Sequence, residues 1–242
     1  MSSFLSSLRS DADRAPVTVG QASLLWLGAW MIGQVCAVAV AAGSGHTTIA
    51  EAGPAWLFAV AVAGWVPLLV AMWSAGRKWG SGSFVRDWGL SFKTVDLWGI
   101  PVGVVTQLVL VPLLYWPLRA LWPDTFSMDK IQERARDLYD SASGAGIALL
   151  VFVVVVGAPV VEELVYRGLL QGAFTRRCQE WLGVTIVALW FAVIHFQPVE
   201  TPGLFLVGMV LGSCALLTRR LGMGIVAHMA FNATGLVLVA MT

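Results

Sequence analysis

The sequence predicts an all-α fold, a polytopic membrane helix bundle of about seven transmembrane helices with a polar intramembrane site. Hydrophobic residues make up 58% of the chain and charged residues only 12%, whereas a soluble domain is about 25% charged. Seven apolar stretches approach the roughly 20 residues that a membrane helix needs. Charged and polar residues interrupt the apolar stretches of the C-terminal half. Placing one charged side chain at the centre of a membrane helix costs roughly 2.5–3.5 kcal/mol of insertion free energy.

Four regions follow along the chain. Residues 1–21 are a polar segment expected in the cytoplasm, residues 22–118 hold three spans, and residues 119–145 form a polar connection. In that connection apolar residues recur at helical spacing among charges, which predicts an amphipathic helix lying at the membrane interface. Residues 146–242 hold four more spans and the polar site. The seven predicted spans are approximately Ala22–Ala42, Pro54–Ser74, Leu97–Leu118, Gly146–Phe174, Trp181–Phe196, Pro202–Leu217 and Gly222–Met241.

The fourth stretch, Gly146–Phe174, is too long for one plain span. We expect a kink or break at Gly157-Ala158-Pro159, because proline removes a backbone donor and its ring crowds the preceding turn.

The basic residues of the short loops predict the orientation of the bundle, since Lys and Arg concentrate on the cytoplasmic side. They occur at alternate sides of the spans, which places the N-terminus in the cytoplasm and the C-terminus on the far side. The residues concerned are Arg9, Arg14, Arg77, Lys78, Arg86, Lys93, Arg176, Arg177, Arg219 and Arg220. A net charge of +1 gives no reason to expect nucleic acid as a partner.

Two adjacent glutamates and an arginine lie in the fourth stretch. Glu163 precedes Arg167 by four residues, which is the favourable order for an ion pair on one helix face and predicts an orienting pair. Glu162 is rotated by about 100° from Glu163. It therefore needs a partner from another helix.

Polar residues on two other spans could meet Glu162. His195 lies deep in the fifth span, about as far along it as Glu162 lies from the end of the fourth. His228 and Asn232 are four residues apart in the seventh span and share one face. Taken singly, His195 could be a packing residue and Asn232 an interhelical hydrogen bond. Gln34 and Gln107 are also polar within spans, and no chemistry is assigned to them.

Three motifs in family order resemble those of the CPBP family, the type II CAAX prenyl proteases and their bacterial relatives, also called the Abi family. They are Glu162-Glu163-x-x-x-Arg167, Phe191-x-x-x-His195 and His228-x-x-x-Asn232. The resemblance covers about Val156 to Asn232. It implies an all-helical intramembrane endopeptidase, in a bacterial plasma membrane, that cleaves a peptide or membrane-protein substrate. It also implies catalytic roles for Glu162 and His195, with His228 and Asn232 completing the site.

The residues suit peptide hydrolysis, because a carboxylate in apolar surroundings is a stronger base. Glu162 would deprotonate a water, His195 would hold that water or share the proton, and one face of the seventh span would supply oxyanion donors. This reading requires no cofactor. The alternative is a zinc site of Glu162, His195 and His228, as the family label metalloprotease suggests. A non-hydrolytic scaffold, an immunity factor or a proton-coupled transporter using the same buried acid also stays open.

Overall fold

The computed structural model describes residues 15–45 and 49–241. Most of the predicted cytoplasmic segment, including Arg9 and Arg14, lies outside the described residues. Every regular element within them is helical. The main helices are α1 (Val19–Ser44), α2 (Ile49–Trp79), α3 (Thr94–Leu121), α4 (Met128–Asp140), α5 (Ala145–Arg177), α6 (Glu180–Val193), α7 (Thr201–Thr218) and α8 (Gly222–Ala240).

Six of these helices, α1, α2, α3, α5, α7 and α8, are long and apolar enough to cross a membrane, counted over the described ranges. The seventh, α6, is apolar but has only 14 residues, or about 21 Å of helix. The predicted membrane helix bundle of about seven spans is confirmed, and the chain is an integral membrane protein.

The helix that carries both glutamates, α5, does not break at Pro159. Gly157 and Ala158 keep right-handed helical dihedrals, with φ of −64° and −59°. Instead, the turn over Phe152–Gly157 widens into a π-helix. A π-helical turn pairs each N–H with the carbonyl five residues back, which makes room for the proline ring. Of the predicted kink or break, the break is wrong, because α5 runs continuously for 33 residues; the kink stays a prediction.

The core of the bundle is built around α5, which contacts α1, α2, α6, α7 and α8. Every residue from 163 to 173 is buried, although these positions include charged and polar side chains. The other large contacts join α1 to α2, α3 to α8 and α6 to α7. At the α3–α8 crossing, a Cβ on Gly103 would lie 2.2 Å from the Ala227 carbonyl oxygen. Small residues of this kind allow membrane helices to approach closely.

One end of the bundle is held together by polar contacts between loops and helix ends. Arg220 is fully buried, and both Nε and Nη2 donate to the Asp96 carboxylate, with Nη2 2.7 Å from Oδ1. Arg176 Nη2 donates to the carbonyl oxygens of Ala15 and Val17 at 3.0 and 2.9 Å. The Ala15 N–H donates to the Asp87 carbonyl oxygen, the Asp87 carboxylate accepts from Ser81 just after α2, and the Leu221 N–H donates to the Gly89 carbonyl oxygen. The basic residues at the ends of α2, α5 and α7 therefore lie at the end of the bundle where α1 begins.

The polar connection contains the helix α4, Met128–Asp140. It packs against α8, α2 and α5. Its location at the membrane interface stays a prediction.

Candidate active site

The adjacent glutamates of α5 point to different surroundings. The Glu163 side chain is fully buried, whereas 26% of the Glu162 side chain is exposed. Glu162 lines a cavity of about 290 Å³ together with His195 and Tyr166. A rotation of about 100° between consecutive helical residues accounts for the difference. Glu162 is thus the acid that a substrate or water can reach.

Glu163 is held by two donors on different helices. Arg167 Nη1 donates to Glu163 Oε1 at 2.8 Å, and His228 Nδ1 lies 3.1 Å from the same oxygen. Arg167 Nη2 also donates to the Gly208 carbonyl of α7 at 3.2 Å, and its guanidinium lies 4.7 Å from the centre of the Phe191 ring. A buried charge is tolerated only when it is paired and hydrogen-bonded. These contacts join α5, α6, α7 and α8 around one ion pair.

His228 lies between the two glutamates. Its Nε2 is 3.8 Å from Glu162 Oε2, on the side opposite the Nδ1 contact with Glu163. A carboxylate paired with Arg167 can only accept, so the proton of this contact lies on His228 Nδ1. The second nitrogen then faces Glu162, and the 3.8 Å separation exceeds a direct hydrogen bond.

His195 lies in the turn after α6, which ends at Val193, and not deep in a span. Phe196 adopts a left-handed φ of +52°, which an α-helix cannot continue, and Pro198 has no N–H to pair with the Ile194 carbonyl oxygen. His195 Nδ1 is 2.6 Å from the Phe191 carbonyl oxygen. A carbonyl only accepts, so Nδ1 donates and Nε2 keeps its lone pair.

Asn232 donates to the backbone of α5, and among the described residues no hydrogen bond joins it to Glu162 or to either histidine. Its Nδ2 donates to the Val154 carbonyl oxygen at 2.8 Å. In the π-helical turn the Ala158 N–H donates to Val153, and the donor due to Val154 would be residue 159, a proline without an N–H. Asn232 therefore supplies the hydrogen bond that Pro159 cannot.

The residues predicted as zinc ligands do not form a metal site as they stand. Within the described ranges no three His, Cys, Asp or Glu residues are grouped closely enough to hold a metal ion. Glu162 and His228 are close, but His228 Nδ1 is directed at Glu163. The donor set does not fit a three-ligand zinc centre.

Sequence reasoning missed the opposite wall of the cavity, which α1 and α2 provide. Trp26, Trp30 and Gln34 of α1 line it, and α2 contributes Gly64 and Trp65. The signal was present as a four-residue spacing on α1, which places those three side chains on one face. Hydropathy treats that face like any other part of an apolar span, so the cavity could not be identified from composition.

Comparisons with known proteins agree with the motifs. Residues 144–234 match the family model described as type II CAAX prenyl endopeptidase Rce1-like. A protein from Escherichia coli described only as an uncharacterized 24.3 kDa protein is 28% identical over 157 residues, covering 60% of this chain and 72% of the relative. No solved structure matches the chain. The match to the Rce1-like family model over residues 144–234 is consistent with the resemblance to the CPBP family that the three motifs carry.

Proposed function

We propose that the protein is an intramembrane endopeptidase in which Glu162 activates the water that attacks a peptide bond. The observation that carries the proposal is the environment of Glu162. It is the partly exposed carboxylate of the cavity, it shares that cavity with His195, and it lies 3.8 Å from His228 Nε2. The neighbouring acid, Glu163, is buried, and its Oε1 is held by Arg167 and His228.

The proposed reaction begins with a water between Glu162 and the substrate carbonyl carbon. Glu162 takes one proton as the water oxygen attacks, and returns it to the leaving amine as the C–N bond breaks. The unprotonated Nε2 of His195 accepts a hydrogen bond from the same water and fixes its position. Glu162 thus ends the cycle in its starting state.

The oxyanion of the tetrahedral intermediate needs hydrogen-bond donors, each worth about 3–4 kcal/mol in known cases. His228 can donate through Nε2 only when that nitrogen carries a proton, and the Glu163 carboxylate at Nδ1 compensates the charge of that form. Asn232 has a second Nδ2 hydrogen beyond the one that bonds Val154. We assign both residues to the oxyanion, with Arg167 and Phe191 as the support that orients Glu163 and the histidines.

The test uses the purified full-length protein in lipid nanodiscs. Two quenched fluorescent peptides serve as probes: one ends in a farnesylated CAAX sequence, and the other is a model transmembrane segment. We expect Glu162→Gln to reduce cleavage at least 100-fold without lowering the melting temperature. Glu180→Gln, at an exposed glutamate of α6, is the matched control and should retain full activity. Cleavage by Glu162→Gln at the wild-type rate would refute the proposal.

The same inactive Glu162→Gln protein can identify the natural substrate. Expressed in cells and purified under mild conditions, it should retain peptide or membrane-protein substrates that the wild-type protein releases after cleavage. Recovery of the same proteins with wild-type and variant would argue against trapping at this site.

We further propose a bacterial plasma membrane location with the N-terminus in the cytoplasm and the C-terminus outside. The support is the clustering of Arg77, Lys78, Arg176 and Arg177 at the end of the bundle where α1 begins, together with seven crossings when the short helix α6 is counted with the six candidate spans. Reporter fusions at both termini test this orientation, and a cytoplasmic signal from the C-terminal fusion would contradict it.

A further inference from the structure

The cavity has two walls of different origin. One wall carries Glu162, Tyr166 and His195, which lie in the region matched by the Rce1-like family model, residues 144–234. The other wall comes from α1 and α2, which lie outside the matched region. That wall contains one polar side chain capable of several hydrogen bonds, Gln34.

Gln34 stands out chemically within α1. The helix is apolar over its whole length as a candidate span, and the Gln34 side chain is exposed rather than packed into protein. Within residues 15–45 and 49–241, no hydrogen bond of its carboxamide is observed. An amide without partners is costly in a membrane, since no water is present to satisfy it. A position on a water-accessible cavity removes much of that cost.

The face of α1 that carries Gln34 is directed at the site and not at lipid. Trp26 and Trp30 precede Gln34 by eight and four residues, and all three line the same cavity. The two indole rings are stacked, with centroids 5.7 Å apart and planes 9° from parallel. Trp26 also packs edge-on against Trp190 of α6, with ring centroids 4.9 Å apart. These contacts anchor the face of α1 on the domain.

Close backbone contacts hold the wall in place. A Cβ on Gly33, the residue before Gln34, would lie 2.7 Å from the Gly64 carbonyl oxygen, so α1 and α2 cross nearly in backbone contact there. The Trp65 ring, next to Gly64, would lie 2.6 Å from a Cβ on Gly157 of α5. Gln34 is therefore presented by a pair of helices seated directly on the helix of Glu162.

We propose that Gln34 binds the backbone of an extended segment of the substrate and holds it across the cavity from Glu162. This inference rests on the proposed endopeptidase function. A peptide bond in an unwound segment has a free N–H and a free carbonyl, which are costly to leave unpaired in a membrane. The carboxamide of glutamine has one acceptor oxygen and two donor hydrogens, so it can pair with both groups. It recognises an unwound backbone irrespective of side-chain sequence.

The inference gives α1 a function and defines a class of substrate. Helical segments have their backbone groups paired internally and offer nothing to Gln34. Segments that are already extended, or that contain residues which weaken helices, offer free backbone groups. Gln34 is a positioning residue in this scheme, and its contribution is to the binding of substrate next to the water of Glu162.

The test compares Gln34→Met with Gln107→Met in the nanodisc cleavage assay, using whichever of the two fluorescent peptides the wild-type protein cleaves faster. Methionine keeps the length and volume of glutamine without hydrogen-bonding groups. Gln107 lies in α3 away from the cavity and provides the same chemical change as a control. We expect Gln34→Met to lower kcat/KM about tenfold or more, mainly through KM, and Gln107→Met to change it less than twofold.

A second measurement protects the inference from a folding defect in Gln34→Met. A photo-crosslinking amino acid at position 34 of the Glu162→Gln protein should capture the peptide, and the same amino acid at position 107 should not. Unchanged kcat/KM in Gln34→Met, or equal crosslinking at both positions, overturns the inference. Suppose that Glu162→Gln abolishes cleavage while Gln34→Met leaves it unchanged. This inference then fails, and the endopeptidase proposal stands.

Discussion

Replacing Asn232 by alanine tests the link between Asn232 and the π-helical turn of α5. The substitution removes the Nδ2 donor and leaves the Val154 carbonyl without a hydrogen bond. An unsatisfied buried acceptor costs about 1–3 kcal/mol, whereas interhelical hydrogen bonds in a membrane average about 0.6 and reach about 1.7 kcal/mol. We therefore expect Asn232→Ala to lower the free energy of unfolding by about 1–2 kcal/mol.

The decisive experiment places Asn232→Ala in a Pro159→Ala background. Alanine at 159 restores the N–H that a π-helical turn would direct at Val154, so Asn232 is no longer needed there. The cost of Asn232→Ala should then fall close to zero, a coupling of about 1 kcal/mol or more in a double-mutant cycle. Unfolding in detergent with increasing dodecyl sulfate, followed by tryptophan fluorescence, measures each variant.

Pro67→Ala provides the matched control, because it removes a proline from the interior of α2. Asn232→Ala should cost the same in that background as in the wild-type protein. If Asn232→Ala lowers the free energy of unfolding equally in the Pro159→Ala and wild-type backgrounds, Pro159 is not the reason that the Val154 carbonyl needs Asn232. Cleavage assays on the same variants test the second proposed role of Asn232, as an oxyanion donor. Loss of such a donor lowers kcat about 100–1000-fold, and it should do so in both backgrounds.

Three further predictions follow from buried contacts and from the donor set. Arg167→Leu should destabilise the protein by about 3–5 kcal/mol by removing the countercharge of buried Glu163, and Arg167→Leu with Glu163→Leu should cost less; a larger cost for the double variant would contradict the pairing argument. Arg220→Leu should likewise lower the melting temperature strongly, whereas Arg219→Leu, at a partly exposed ion pair with 38% of the arginine side chain accessible, should cost under about 1 kcal/mol. Cleavage should persist in a zinc chelator, with no stoichiometric zinc by mass spectrometry, and activity proportional to bound zinc would show that our reading of the donor set is wrong.

The spans could be predicted from the sequence because a membrane restricts a chain to long apolar helices. The limits of α7 and α8 differ from the predicted limits by a single residue at most. The predicted helix limits are wrong where local backbone geometry, and not hydropathy, decides where a helix ends or bends. Hydropathy extended the fifth span through His195, but α6 ends at Val193, ahead of Phe196 with its positive φ and of Pro198. Pro159 suggested a kink or break in α5. Instead, α5 continues through a π-helical turn, and Asn232 of α8 donates the hydrogen bond that Pro159 cannot.

The site was predictable as a set of residues but not as a set of contacts. Spacing identified the pair of Glu163 with Arg167, because both lie on one helix. It could not show that His228 contacts that same carboxylate at 3.1 Å, since this depends on how α8 packs on α5. The α1 wall was missed for the same reason.

His228 connects the two adjacent glutamates of α5. A single histidine reaches Glu163 through Nδ1 and approaches Glu162 through Nε2, so the two acids are linked through one ring. Glu163 is fixed by Arg167, which in turn packs on Phe191, whose carbonyl oxygen accepts from His195. The orientation of both histidines therefore depends on the same buried ion pair. Glu162 lies outside that pair, 3.8 Å from His228 Nε2, and its partly exposed carboxylate is the one that water can reach.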